Sequence, residues 1–409
     1  MEIPTKFQNY FKQNNFEKMT TIQETVFEPF INGEDFVAMA PTGSGKTLAF
    51  AMPILQNITP NDGLQVVILE PSQELAVQVR NVIAPLAKEF GCKVQSITGG
   101  ANPKRQLDKL KEKPEIIVAT LGRLDALVKA KKIKLATVQT VVVDEADEML
   151  NSTKLQSVRE LLSDMPEDIQ LTFFSATAND IFNDMKKWFG VDFNVIDQRS
   201  DESYTTGIKH YFINTTDDGM KDMLIRQMAH NRKFLGMVFF NNSRSLHKVI
   251  SSLDHNKTNF VALDSKMSSQ SRKEALQLFT SKKVNLMLTT DVAARGMDIS
   301  NVTNVVNYMV PRDKNEYTHR AGRTGRMGKE GSVVTFGNTH DYRNLKSYTD
   351  SEIEKVFLNA DGSFSDKETY NKKRKKRSEN SKGDKPKTKK RLRDQKNKGK
   401  RRKPSTESK

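Results

Sequence analysis

Short, unbroken apolar runs recur along this chain, and each cluster of unusual polar residues follows directly on one of them. In the first half the runs are 36–40, 66–69, 116–119, 141–143 and 171–174. In the second half they are 236–240, 260–263, 284–288, 305–308 and 332–336. The gaps leave room for helices, with 75–90 and 272–280 the clearest. Alternation of this kind predicts parallel sheets flanked by helices. Runs without polar alternation predict strands buried on both faces. The expected fold class is α/β, with two doubly wound parallel-sheet domains in tandem. Residues 1–198 form the first, 199–205 a polar linker around QRSDES (198–203), 206–358 the second, and 359–409 a tail.

In open sheets of this class, ligands bind beyond the carboxyl ends of the strands. APTGSGKT (40–47), DEAD (144–147), SAT (175–177) and TTDVAARGMD (289–298) all fall there. The first resembles the Walker phosphate loop, with Ala40 in place of its first glycine. Gly43 and Gly45 allow the backbone to curl so that successive N–H groups face phosphate oxygens. A helix beginning near Lys46 adds its positive end. Ala40, Pro41, Thr42, Gly43, Ser44, Gly45, Lys46 and Thr47 are therefore the expected ATP-phosphate site. Lys46 is placed to reach the β- and γ-phosphates and the Thr47 hydroxyl to hold Mg²⁺. Asp144 and Glu145 stand at the tip of an apolar strand, where an acidic pair completes such a site. Asp144 joins Thr47 as the metal residue, and Glu145 orients and deprotonates the attacking water.

Net charge is +16, and all of it is at one end. Residues 372–409 hold 20 Lys and Arg against 4 Asp and Glu; the remainder balances at 46 of each sign. The segment has one apolar residue, Leu392, and no aromatic, so no core is expected in it and disorder is. A cationic tail of this type binds polyanions through counterion release. No run approaches the roughly 20 apolar residues that span a bilayer, so no membrane partner is expected. MEIPTKFQNY does not read as a secretory signal, and Cys92 is the only cysteine. A reducing, cytoplasmic setting fits these features.

DEAD at 144–147, SAT at 175–177 and HRAGRTGR at 319–326, in this order after a phosphate loop, resemble the DEAD-box RNA helicases of superfamily 2. The resemblance runs from about residue 7 to 340 and implies two RecA-like domains. It implies ATP and Mg²⁺ as cofactors and RNA as partner. The activity it implies is RNA-stimulated hydrolysis coupled to local, non-processive unwinding. Gln23 would pair with the adenine edge, with Phe16 stacked on the ring. Ser175 and Thr177 would hydrogen-bond Asp147, linking the ATP site to RNA grip. Arg323 and Arg326 would act as arginine fingers, His319 and Arg320 would contact the acidic motif, and Asp298 would accept from the ribose. RNA-facing candidates are PSQELA (71–76, with Pro71), Gly99, Gly100, TLGR (Thr120, Gly122, Arg123), Asn241 to Ser243 (with Asn242), Thr290 and Asp291.

Several positions depart from the family pattern. Asn15 stands for a glycine, and Met19 and Thr21 stand for prolines, which implies a looser adenine loop. Gln73 stands for an arginine, Leu121 for a proline, Ser269 for a glutamine and Met309 for an aspartate. Losing the arginine at 73 implies weaker RNA grip in the first domain. The compact core and lysine-rich tail look most like bacterial members acting in ribosome assembly, RNA turnover or growth in the cold. These would act as monomers, with ribosomal precursors or RNA-decay proteins as partners. Two other readings stay open: an ATP-dependent RNA clamp that does not unwind, and a DNA helicase.

Overall fold

The computed structural model describes residues 2–100, 102–200, 207–231, 234–264, 266–294, 299, 302–325, 330–349, 351–359 and 361–366. Asp298, Arg326, the linker from 201 and the basic tail lie outside the described residues.

The first half builds a seven-stranded sheet in the order β3-β4-β2-β5-β6-β1-β7. Its strands are β1 (Phe36–Met39), β2 (Val66–Glu70), β3 (Val94–Ile97), β4 (Ile116–Thr120), β5 (Thr140–Val143), β6 (Gln170–Ser175) and β7 (Asn194–Asp197). The second half repeats this order as β10-β11-β9-β12-β13-β8-β14. Here the strands are β8 (Ile208–Asn214), β9 (Gly236–Phe240), β10 (Val261–Leu263), β11 (Leu286–Thr290), β12 (Asn304–Asn307), β13 (Gly331–Gly337) and β14 (Ile353–Lys355). Every pairing within the two sheets is parallel. The expected tandem of doubly wound sheets is what the chain forms.

Each run read from the sequence overlaps a strand, because these strands are buried on both faces: β2 and β6 have no exposed position. Four strands lacked that signal. Edge strand β7 buries only Ile196, and β8 mixes buried residues with polar Lys209 and Asn214. β3 and β14 are short edge strands.

One face of the first sheet packs on the helices Thr21–Ile31, Lys46–Asn57 and Gln73–Glu89. The other packs on Leu121–Lys129 and Leu155–Leu162. Phe174 meets Phe36 and Phe50 edge to face, with centroids 5.8 and 5.2 Å apart. Such pairs add about 0.5–1.5 kcal/mol beyond area burial. They fix the end of β6, from which Ser175 projects toward the phosphate loop; Ala40 N donates to the Ser175 carbonyl at 3.1 Å.

Candidate active site between the two sheets

The phosphate loop connects β1 to the helix Lys46–Asn57. Gly43 (φ 84°) and Gly45 (φ 92°) are left-handed, as the curl requires. A Cβ on Gly45 would lie 2.4 Å from Gln23 Nε2, so this position needs glycine twice over. Lys46 is buried and donates Nζ to the carbonyls of Ala40 (3.0 Å) and Pro41 (3.3 Å). The hydroxyls of Thr42 and Ser44 are buried without a partner. An orphaned buried hydroxyl costs about 1–3 kcal/mol, so this cradle is shaped for a polar group from outside the chain. Thr47 occupies the second position of the helix.

Gln23 is buried beside the loop. It closes a capping box with Thr20, accepting from Thr20 N at 3.0 Å, and donates to the Gly45 carbonyl at 3.2 Å. Phe16 packs edge-on against Phe11 at 5.8 Å. Asn15 has φ 57°, the conformation for which the family pattern has glycine. Asparagine tolerates it better than most residues. Thr21 is the first helical residue, a place that suits the family's proline.

Asp144 continues β5 and accepts from Glu145 N at 2.9 Å. Burial, then the charge of Glu145, push its carboxyl up to about 7, with Lys46 pulling the other way. Glu145 has φ 45° and ψ 51°, a left-handed conformation costing about 1–2 kcal/mol without glycine. Its Oε2 is buried and unpartnered. Glu70 ends β2 one register step from Asp144, fully buried, with neither oxygen partnered. Sequence reading missed Glu70: before a proline it looks like a loop residue. These carboxyls outnumber the one positive charge acting on Asp144, that of Lys46, so the donor set fits a divalent cation.

Asp147 accepts a short hydrogen bond from the Thr177 hydroxyl, and its carbonyl accepts from Asn179 Nδ2 at 3.3 Å. Ser175 Oγ donates to the Thr177 carbonyl at 2.7 Å. From the second lobe, His319 Nε2 lies 2.9 Å from Asp147 Oδ2. Burial pushes the Asp147 carboxyl up, but His319 and the Thr177 hydroxyl outweigh it and bring it down to about 2; the Ser175 hydroxyl, expected at Asp147, goes instead to the Thr177 carbonyl. Burial pulls His319 down, but Asp147, Glu145 and Glu148 outweigh it and hold the imidazole above its ordinary value.

Arg320 does not join His319 at the acidic motif. One residue on, a helix has turned by about 100°, and Arg320 enters its own lobe, 1% exposed. It pairs with both oxygens of Asp291 (2.7 and 2.6 Å), and with Asn307 (3.1 Å) and Asn241 (2.9 Å). Asp291 and Asn241, expected to face RNA, are instead partners of this buried cation. The following turn reaches the phosphate loop: a Cβ on Gly322 would lie 2.7 Å from Thr42 Cβ. Arg323 lies in that turn and lines the cleft between the lobes, about 360 Å³, with Asp147, His319 and Arg320.

Among the RNA-facing candidates, Pro71, Thr120 and Arg123 are half-buried, while Gly99, Gly100, Gly122 and Asn242 are exposed. Gly100 N–H is taken by Gln73 Oε1 at 2.9 Å, and Thr290 is buried, its hydroxyl accepting from Ala293 N at 3.4 Å. Asn242 caps the helix Ser243–His255. Glu74 of PSQELA crosses the cleft to Arg272 at 2.5 Å, a second contact between lobes that sequence reading missed. No helix among the described residues is long and apolar enough to cross a membrane.

A phosphate-loop lobe closed by a second lobe of the same topology, with an arginine-bearing turn laid on the loop, defines a two-lobed nucleotide hydrolase. The family model for DEAD/DEAH box helicases matches residues 20–185, and that for the helicase conserved C-terminal domain matches 219–328. The chain is 33% identical over 342 residues to the DEAD-box ATP-dependent RNA helicase CshC of Bacillus cereus, covering 83% of this chain and 87% of the relative. It is 34% identical over 346 residues to the ATP-dependent RNA helicase CshA of Limosilactobacillus reuteri, covering 84% and 69%. Saccharomyces cerevisiae Dbp5 bound to RNA and ADP BeF3 superposes with a TM-score of 0.78 at 26% identity, covering 87% and 94%. The chain belongs to the DEAD-box family of ATP-dependent RNA helicases.

Proposed function

We propose that RNA-stimulated ATP hydrolysis in this protein drives local, non-processive opening of short RNA duplexes or remodelling of RNA–protein complexes. The observation that carries the reading is the contact set across the cleft: His319 on Asp147, Arg272 on Glu74 and Gly322 against Thr42. The hydrolytic residues come from both lobes, so turnover depends on closure. Gln23 and Phe16 select adenine. Lys46 leaves the loop carbonyls for the β- and γ-phosphates. Glu145, whose unpartnered oxygen faces no protein donor, takes the proton of the attacking water. Arg323, with Arg326, meets the γ-phosphate charge. Thr47 and Asp144 would hold Mg²⁺, which supplies charge neutralisation on the phosphates when bound.

Arg123, Thr120, Gly122, Pro71, Gly99, Gly100, Asn242 and Thr290 lie at or just beyond the carboxyl ends of strands, in segments we assign to the RNA backbone. Backbone contacts fix position without reading sequence, and 2′-hydroxyl contacts distinguish RNA from DNA. Asp147, Thr177 and His319 couple the two sites. Duplex stacking is worth about 1.4 kcal/mol per step in DNA, so one cycle suffices for a few pairs and not for a long duplex. Ribosome assembly, RNA turnover and growth in the cold, in the cytoplasm and as a monomer, are the setting we assign. Relatives carrying the helicase description support the activity, and the tail's charge supports ribosomal precursors as targets.

The test is strand displacement on short and long RNA duplexes with ATP, alongside RNA binding by gel shift. Displacement of the short duplex only is expected. Binding in ATP without displacement of either would replace this reading with that of an RNA clamp.

A further inference from the structure

The three first-lobe segments assigned to RNA follow β2, β3 and β4, and glutamines tie them together. Gln106 is the one buried residue of the helix Pro103–Leu110, whose other polar residues face solvent. It is 4% exposed and uses both ends of its carboxamide. Oε1 accepts from Arg123 Nε at 2.9 Å, and Nε2 donates to the Thr98 carbonyl at 3.1 Å. Its own carbonyl accepts from buried Gln95 Nε2 at 2.8 Å. Gln106 thus joins the residue before Gly99 to the arginine of TLGR. On the other flank, Gln73 Oε1 accepts from Gly100 N, and a Cβ there would lie 2.5 Å from that oxygen.

The side chain of Arg123, in the first turn of the helix Leu121–Lys129, would lose about 2 kcal/mol of rotamer freedom on being ordered by RNA if nothing held it beforehand. A partner that orders it beforehand removes that cost from binding. Holding Nε also fixes the plane of the guanidinium fork, since the group is rigid. The Gly99–Gly100 loop, clipped at Thr98 by Gln106 and at Gly100 by Gln73, is held to the same frame. We propose that Gln106 is a positioning residue for RNA, holding Arg123 and the Gly99–Gly100 loop as one preformed cradle for the phosphate backbone. The proposal rests on the assignment of Arg123 to RNA. It also accounts for Gln73, which secures the glycine loop where the family has an arginine.

The test uses the full chain as wild type, Gln106→Leu, Arg123→Ala and the double variant. Affinity for a single-stranded RNA is read by fluorescence anisotropy with a non-hydrolysable ATP analogue; nucleotide affinity without RNA and the thermal midpoint are read beside it. Gln106→Leu is expected to weaken RNA binding about tenfold (about 1.4 kcal/mol) and to leave nucleotide affinity unchanged. Because Gln106 acts in part through Arg123, the double variant should bind more tightly than the sum of the two single losses predicts. Gln106→Met, closer in shape, replaces the leucine variant should that unfold. Wild-type binding by the Gln106 variant beside weak binding by Arg123→Ala overturns the positioning role and keeps the RNA assignment. Losses that add overturn it as well. Wild-type binding by Arg123→Ala overturns the RNA assignment itself.

Discussion

Replacing His319 by alanine separates closure from nucleotide binding. Asp147 is 3% exposed on its side chain, and its Oδ2 is held by Thr177 from its own lobe and His319 from the other. Removing His319 leaves a buried carboxylate with one hydroxyl donor on that oxygen. Hydrogen bonds to charged groups contribute about 1.5–3 kcal/mol. The partner's exposure is 23%, so about 2 kcal/mol is a fair figure for closure, or roughly 30-fold. The variant should show RNA affinity in the presence of an ATP analogue reduced by about that factor, measured by anisotropy. Nucleotide affinity without RNA should hold, because the phosphate loop, Asp147 and Thr177 all belong to the first lobe. The pH dependence gives a second reading. His319 is raised in the closed form, so its contribution is complete below the ordinary value near 6.5 and fades as pH rises through the raised value. Wild-type RNA affinity should fall along that window, and His319→Ala should be flat there. Equal affinities, or equal slopes, would refute the clasp.

Gly322→Ala places a Cβ 2.7 Å from Thr42 Cβ; RNA-stimulated turnover should fall about tenfold, since overpacking costs about 1–3 kcal/mol, while ATP binding in the absence of RNA stays unchanged. Unchanged turnover would remove the turn from the closed site. Burial, then the charges of Asp144 and Glu145, push the Glu70 carboxyl well above its ordinary range. Its contribution to stability is therefore full below about pH 4.5 and lost as pH rises. Glu70→Gln should raise the thermal midpoint at neutral pH, by about 2–4 °C per kcal/mol, and flatten its pH dependence; an unaltered pH profile contradicts this. Deleting residues 372–409, which carry all of the net charge, should weaken RNA binding and reduce the slope of log affinity against log salt by about 0.7 for each phosphate the tail neutralises. A retained slope would deny the tail a role in RNA binding.

What was legible in the sequence was local. The phosphate loop, the acidic pair and the strands buried on both faces announce themselves within a few residues. The family pattern carried the reading from Asp147 to His319, 172 residues apart. What stayed hidden depends on neighbours far along the chain. Glu70 looks like a solvated glutamate until β5 places Asp144 beside it. Gln106 looks like one more polar residue on a basic helix until β4 brings Arg123 against it. Arg320 and His319 are adjacent in sequence, and only the helix phase sends His319 across the cleft and Arg320 into its own core. Strand β8 was missed because polar residues interrupt its apolar ones.

The central claim is that RNA closes this cleft and thereby switches on hydrolysis. Steady-state ATP hydrolysis measured alone, with single-stranded RNA and with the matching DNA tests it most directly. Low rates alone and with DNA, and a large stimulation by RNA, are expected. Equal rates in all three would contradict it, and stimulation by DNA alone would assign the cleft to a different nucleic acid.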